Sequence, residues 1–133
     1  MTKGIYCLVF SIRKNLNLKI GRSRKSHKFP KGFYCYVGSG MNNLEARINR
    51  HMSKGKNKFW HIDYLLDYAD MLAVKTIKTN KKMECKISKM LEKFGKQPAK
   101  GFGSSDCKCN SHLHHFKENP LADERFLSVF YRQ

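Results

Sequence analysis

Gly4-Ile5-Tyr6-Cys7-Leu8-Val9-Phe10-Ser11-Ile12 and Gly32-Phe33-Tyr34-Cys35-Tyr36-Val37-Gly38-Ser39 are the stretches on which the reading of this chain turns. In the first, Ile5, Cys7 and Val9 alternate with Tyr6, Leu8 and Phe10, so both faces of a strand would be largely apolar. The second carries a strand over Phe33 to Val37, closed by Gly38-Ser39-Gly40.

Outward from these strands the chain divides by its punctuation. Lys14 to Asn17 reads as a polar turn and Leu18 to Gly21 as the returning arm of a hairpin; Arg22 to Lys31 follows as a basic loop. Asn42 or Asn43 can cap a helix whose apolar row is Leu44, Ile48 and Met52, ending near Ser53. A basic loop over Lys54 to Lys58 leads to a short helix over Trp60 to Tyr68 and a strand over Met71 to Ile77. Met83, Ile87, Met90, Leu91 and Phe94 form a helical stripe that stops at Gly95. Pro98 to Leu113 reads as loop and Leu121 to Tyr131 as a closing helix. This order predicts an α+β fold, a small, mainly antiparallel central sheet flanked by helices, in one domain over residues 1–133.

Charge narrows the choice of partner. Lys and Arg number 27 against 10 Asp and Glu, a net of +17. Residues 1–60 hold 14 basic groups and one acid (Glu45), a net of +13, and residues 61–133 hold 13 and nine, a net of +4. A polyanion relieves such self-repulsion, so the expected partner is nucleic acid, with a generally basic or ribosome-associated protein as the bland alternative. Arg22, Arg24, Lys25, Lys28 and Arg50 are the candidate phosphate contacts. The longest apolar run is Ile5 to Phe10. A membrane span needs about 20 residues, so no membrane association is expected. Lys3 and that short run are too small for a secretion signal, so an intracellular, cytoplasmic protein is expected, with its five cysteines as reduced thiols or metal ligands.

Gly4-Ile5-Tyr6 on one strand and Tyr36-Val37-Gly38 on another precede Arg47 and His51, which lie one turn apart on the next helix, and Glu84 begins a later helix. In these residues, over roughly 4–95, the chain resembles the GIY-YIG nucleases. Gly32 to Ser39, Trp60 to Leu66 and Gly103-Ser104-Ser105-Asp106-Cys107 through Leu113 extend the likeness to nearly the whole chain. Together they resemble a small GIY-YIG-like family of prokaryotes, chiefly archaea, whose members also occur fused to DNA-repair glycosylases. The resemblance implies a metal-dependent endonuclease acting on DNA rather than RNA, in repair or processing. The alternative is a basic nucleic-acid-binding module on the same fold without catalysis. The tripeptides start 32 residues apart, from Gly4 to Tyr36, wider than is usual in the family, as if a hairpin arm and basic loop were inserted.

The residue types suit the chemistry. Arg47 offers a planar fork that can neutralise a pentavalent phosphate, which a lysine cannot reproduce. Glu84 can hold one Mg²⁺ or Mn²⁺. Tyr6 or Tyr36 would position or deprotonate the attacking water, with Tyr6 favoured as base and Tyr36 as its hydrogen-bonded positioner. A free tyrosine, of pKa about 10, is only about 0.1% ionised at neutral pH, so this base needs its pKa lowered. His61 and His112 are candidate supporting groups, and His61 with Asp63 resembles a family motif, though helix packing or capping is the plainer role. Each residue also has a bland role: strand tyrosines in a core, Arg47 and His51 on a solvated helix face, Glu84 favoured by a helix dipole.

Cys107-x-Cys109-x-x-His112 has ligand types that suit a structural Zn²⁺. A second pair is missing nearby, so Cys85 or Cys7 would have to approach in space. The alternatives are a loop folded onto the site, or buried thiols acting as small hydrophobes. Asp70 with Glu84-Cys85-Lys86 offers the acid and Glu-x-Lys of a different nuclease fold. That chemistry wants its Glu and Lys on a strand, whereas Met83 to Phe94 has helical spacing.

Overall fold

Strand β1 (Gly4–Ile12) lies in the middle of the sheet, and its two apolar faces explain why. The computed structural model describes residues 2–20, 25–53, 61–98, 102 and 111–131. The elements that follow are β2 (Leu16–Ile20), β3 (Lys25–Phe29), β4 (Gly32–Gly40), α1 (Leu44–Met52), α2 (His61–Leu66), β5 (Ala69–Lys78), α3 (Glu84–Glu92), β6 (Leu113–Phe116) and α4 (Glu124–Tyr131). A short 3-10 turn, Pro120–Ala122, precedes α4. The main sheet has the order β5-β1-β4-β6 with every pair antiparallel, and β2 and β3 form a separate two-stranded ribbon. The fold is α+β, with a small antiparallel sheet and helices, as the sequence predicts.

Each face of β1 feeds its own core. Ile5, Cys7 and Val9 meet Cys35 and Val37 of β4, Ile77 of β5, Ile87 and Leu91 of α3, and Phe126 and Val129 of α4. Tyr6, Leu8, Phe10 and Ile12 meet Tyr34 and Tyr36 of β4, Leu16 and Phe29 of the ribbon, Leu44 of α1, Ile62 and Leu65 of α2, and Phe102. A strand covered on both sides must be apolar on both sides, which is what its residues are. Val9 opposes Ala73 and Phe10 opposes Met71, so Leu72 is the extra residue of a bulge in β5.

Several sequence expectations are corrected. The arm read over Leu18 to Gly21 is β2, and it pairs with β3 rather than returning along β1, because both edges of β1 are taken by β4 and β5. The basic loop contains β3, a polar strand anchored by the buried side chain of Phe29. Beyond the stretch read as loop, β6 runs from Leu113 through two buried histidines, a composition that hides a strand. The closing helix begins only at Glu124, where the Asp123 carboxylate accepts from the Arg125 N–H at 2.9 Å and starts it afresh. Of the two caps the sequence offers for α1, Asn43 is the one used, accepting from Ala46 N–H at 3.0 Å, in keeping with that reading.

The cysteine expectation is also corrected in part. Cys7 opposes Val37 and Cys35 opposes Val9, so the two cysteines are diagonal neighbours on one face, and they are joined as a disulfide with Cα atoms 6.1 Å apart. Cys7 is therefore no partner for a metal-binding loop, whereas Cys85 is in no disulfide and has its Sγ 3.8 Å from His112 Nε2. Among the described residues no helix is long and apolar enough to cross a membrane.

Candidate active site

The antiparallel register brings the two tripeptides together. Tyr6 is opposite Gly38 and Tyr36 is opposite Leu8, so the tyrosines are diagonal neighbours on the same face of the sheet. The glycines have steric causes. A Cβ on Gly38 would overlap the Tyr6 ring and hydroxyl, and one on Gly4 would overlap the carbonyl oxygen of Ile77 in β5. A bare backbone in β4 thus lets the Tyr6 ring lie flat across its neighbour.

Helix α1 crosses beside this face and supplies two site residues one turn apart. His51 is buried, and its Nε2 stands 2.6 Å from the Tyr6 hydroxyl oxygen. The Tyr36 ring meets the same imidazole edge to face, with centroids 6.2 Å apart. Both tyrosines thus share a contact with His51, Tyr6 through its hydroxyl and Tyr36 through its ring. Arg47 is exposed, and its Nη1 donates to the Ser39 carbonyl at 2.9 Å, which holds the guanidinium at the end of β4.

Burial pushes the pKa of Tyr6 well above that of an ordinary phenol. The neighbouring Tyr36 raises it further, Arg47 pulls it down, and Glu84 and Asp63 raise it. Tyr36 is likewise raised, first by burial and then by Glu84, with Arg47 opposing. Without a metal, desolvation thus outweighs the pull of Arg47 on both phenols. The same couplings put Arg47 and Glu84 within electrostatic reach of both hydroxyls.

Glu84 is the first residue of α3, half-buried, and its charge also acts on His112. Its carboxylate is the hard-oxygen donor of the site. Mg²⁺ and Mn²⁺ suit such a donor, since one or two carboxylates hold them while water and phosphate oxygens complete the shell. Placement of Glu84-Cys85-Lys86 on a helix removes the strand that the rival Glu-x-Lys chemistry needs.

His112 is buried against α3, with Nε2 3.8 Å from Cys85 Sγ, and burial lowers its pKa while Glu84 opposes that. The next turn of α3 pins the segment down. Ser88 Oγ donates to the Ser111 carbonyl at 2.9 Å and lies 2.8 Å from His114 Nε2, and Gln97 Nε2 lies 3.0 Å from His114 Nδ1. With Gln97 donating to Nδ1, Nε2–H donates to Ser88, so one tautomer satisfies every group. Burial and His112 depress the His114 pKa to about 3, which keeps the ring neutral. Cys107 and Cys109, the other expected zinc ligands, lie outside the described residues.

The remaining expected residues divide. His61, the first residue of α2, is exposed and sits edge-on to Phe102 at 5.6 Å, and Phe102 in turn touches Tyr36 at 6.1 Å. Desolvation and His27 of β3 lower the His61 pKa. Lys28 is exposed on β3, Arg22 and Arg24 lie outside the described residues, and Lys25 is described only as backbone of β3. Arg50 has an internal partner that the sequence reading did not give it: its two terminal nitrogens each donate to an Asp63 oxygen at 3.0 Å. Asp63 is the residue whose importance the sequence understated. The signal was there: it is the second acid in a strongly basic chain, and it falls between Ile62 and Leu65 on the buried side of α2.

A small α+β protein with a tyrosine-centred polar site on an antiparallel sheet is what the fold and these contacts define. The chain belongs to the family described as Domain of unknown function DUF123, whose match runs over residues 5–132 and takes in each residue of the site. Comparison with curated proteins and with solved structures returned no match.

Proposed function

We propose that this protein is a GIY-YIG-type endonuclease that hydrolyses phosphodiester bonds in DNA with one divalent metal ion on Glu84. The observation that carries the reading is the 2.6 Å contact between Tyr6 and His51, made within electrostatic reach of Arg47 and Glu84. A buried phenol with a raised pKa does not stand as phenolate, but a phenol that donates to an imidazole can pass its proton on as it takes another.

A water near Tyr6 gives a proton to the Tyr6 oxygen while the Tyr6 proton moves to His51 Nε2. The hydroxide oxygen bonds to phosphorus, the bond to the leaving oxygen breaks, and that oxygen takes a proton from solvent. Tyr36 walls the imidazole on one side and keeps it turned toward Tyr6. Arg47, fixed by Ser39, meets the charge that grows on the phosphate. Mg²⁺ or Mn²⁺, when bound, supplies positive charge to the phosphate and to the departing oxygen. His112 lies near Glu84, on a segment fixed by Ser88 and His114.

The net charge of +17, concentrated in the first 60 residues, supports a polyanionic substrate. The test is a panel of labelled single-stranded, duplex, nicked, flapped and abasic DNA, with matching RNA, incubated with and without Mg²⁺ or Mn²⁺. Metal-dependent cutting of a DNA substrate that Tyr6→Phe abolishes is the expected result. Tight binding with no cutting anywhere on the panel would make the protein a nucleic-acid-binding module instead.

A further inference from the structure

Asp63 has no exposed surface, and an isolated carboxylate in such a place would cost several kcal/mol. Arg50 offsets that cost with two parallel hydrogen bonds, Nη1 to Oδ1 and Nη2 to Oδ2, each 3.0 Å. The arginine side chain is 29% exposed, so the pair bridges from the surface to the interior. Oδ1, the oxygen that Nη1 holds, is also the one that faces His51, 4.0 Å from Nδ1. Tyr6 meets the other nitrogen of that ring. A hydroxyl thus meets one nitrogen of the imidazole at 2.6 Å, and a carboxylate held by a fork lies 4.0 Å from the other, beyond hydrogen-bond distance but within ion-pair range. Hydroxyl-to-histidine-to-acid order is the arrangement that orients an imidazole and stabilises it once it has taken a proton.

We infer that Asp63, clamped by Arg50, is a positioning residue for His51, fixing its ring and strengthening its hold on the proton that leaves Tyr6. A mere tie between α1 and α2 would need the fork but not the approach of Oδ1 to the imidazole. The catalytic consequence rests on the endonuclease reading, whereas the electrostatic pairing does not. Among the described residues, the groups that face His51 include Tyr6 from β1, Tyr36 from β4 and Asp63 from α2, with Arg47 and Arg50 on its own helix. Behind it, a cavity of about 420 Å³ is also lined by Asp67, just past α2, and Asp70 of β5. Asp63 Oδ1 lies 4.0 Å from Nδ1.

Heteronuclear NMR of labelled protein follows the His51 imidazole through a pH titration without any substrate. Asp63→Asn should move its midpoint down by about one unit, because a neighbouring negative charge is lost. The same variant should lower the single-turnover cleavage rate about tenfold to a hundredfold with KM within twofold. It should also shift the acidic limb of the pH–rate profile downward. Should Asp63→Asn fold poorly, the double variant Arg50→Gln with Asp63→Asn removes both charges and leaves a neutral amide pair, and the midpoint should still fall. An unchanged His51 midpoint in a folded variant would overturn the inference and leave the pair as a tie between helices. A shifted midpoint in a protein that cuts no DNA would uphold the pairing and overturn the endonuclease.

Discussion

Gly38 lies under the Tyr6 ring so closely that a methyl group on its Cα would overlap both the ring and its hydroxyl. The missing side chain in β4 is therefore as much a part of the site as the phenol in β1. Gly38→Ala should push the ring off His51 and abolish cleavage, and it should destabilise the fold by about 1–3 kcal/mol, as overpacking does. Denaturant unfolding and the cleavage assay read the two effects separately.

Glu84→Gln removes a negative ligand with almost no change in shape. Cleavage should fall by about 10²–10³-fold or more, as for loss of one transition-state stabiliser. Binding of DNA measured without metal should stay level or tighten, because a carboxylate near phosphate has gone. Cutting at wild-type speed by Glu84→Gln would remove the glutamate from the mechanism.

Tyr6 and His51 act as one unit if the proton passes between them. Tyr6→Phe should keep fold and binding while losing turnover. Adding His51→Gln should then cost little more, because effects within a unit are not additive. Single-turnover rates for both single variants and the double complete the cycle, and additive losses would separate the two residues.

The neutral His114 makes stability depend on pH. Its pKa is about 3 in the folded protein against an ordinary 6.5, so below pH 6.5 the unfolded chain binds a proton that the folded protein refuses. Stability should therefore fall by about 1.4 kcal/mol per pH unit between about pH 6.5 and 3, from this group alone. His61 and His112, also depressed, steepen the same slope. Urea unfolding at a series of pH values measures it, and a His114→Asn variant should flatten it.

DNA affinity should fall steeply with salt, with a log–log slope of about −0.9 for each phosphate neutralised on duplex. Reversing Arg24 and Lys25 to Glu should weaken binding and flatten that slope. An unchanged slope would move the binding face to the less basic half of the chain.

What could be read from the sequence divides along physical lines. The strands and helices with strong apolar periodicity, β1, β4, α1 and α3, were legible, because burial writes itself into residue spacing. β3 and β6 were not: one is held by a buried phenylalanine and the other by histidines whose burial depends on Ser88, Gln97 and the Lys31 carbonyl. In the site, residue identity pointed to Tyr6, Tyr36, Arg47, His51 and Glu84, yet their connections required three dimensions. No spacing rule tells that Tyr6 would reach His51, 45 residues on. Nor does one tell that Arg50 would turn inward to Asp63 while Arg47, on the same helix, stays at the surface.

The position of β1 between β4 and β5 has a consequence for the protein's birth on the ribosome. Its second partner begins only at Ala69, and the strand that covers the far edge of β4 begins only at Leu113. While the first 60 residues are emerging, an apolar strand therefore waits with one edge bare and neither core assembled. Such long-range pairing forms slowly, and bare edges invite association between nascent chains. Those same residues carry 14 basic groups and one acid. Like charge at that density keeps neighbouring copies apart during synthesis. The charge proposed to meet phosphate thus first guards an unfinished sheet.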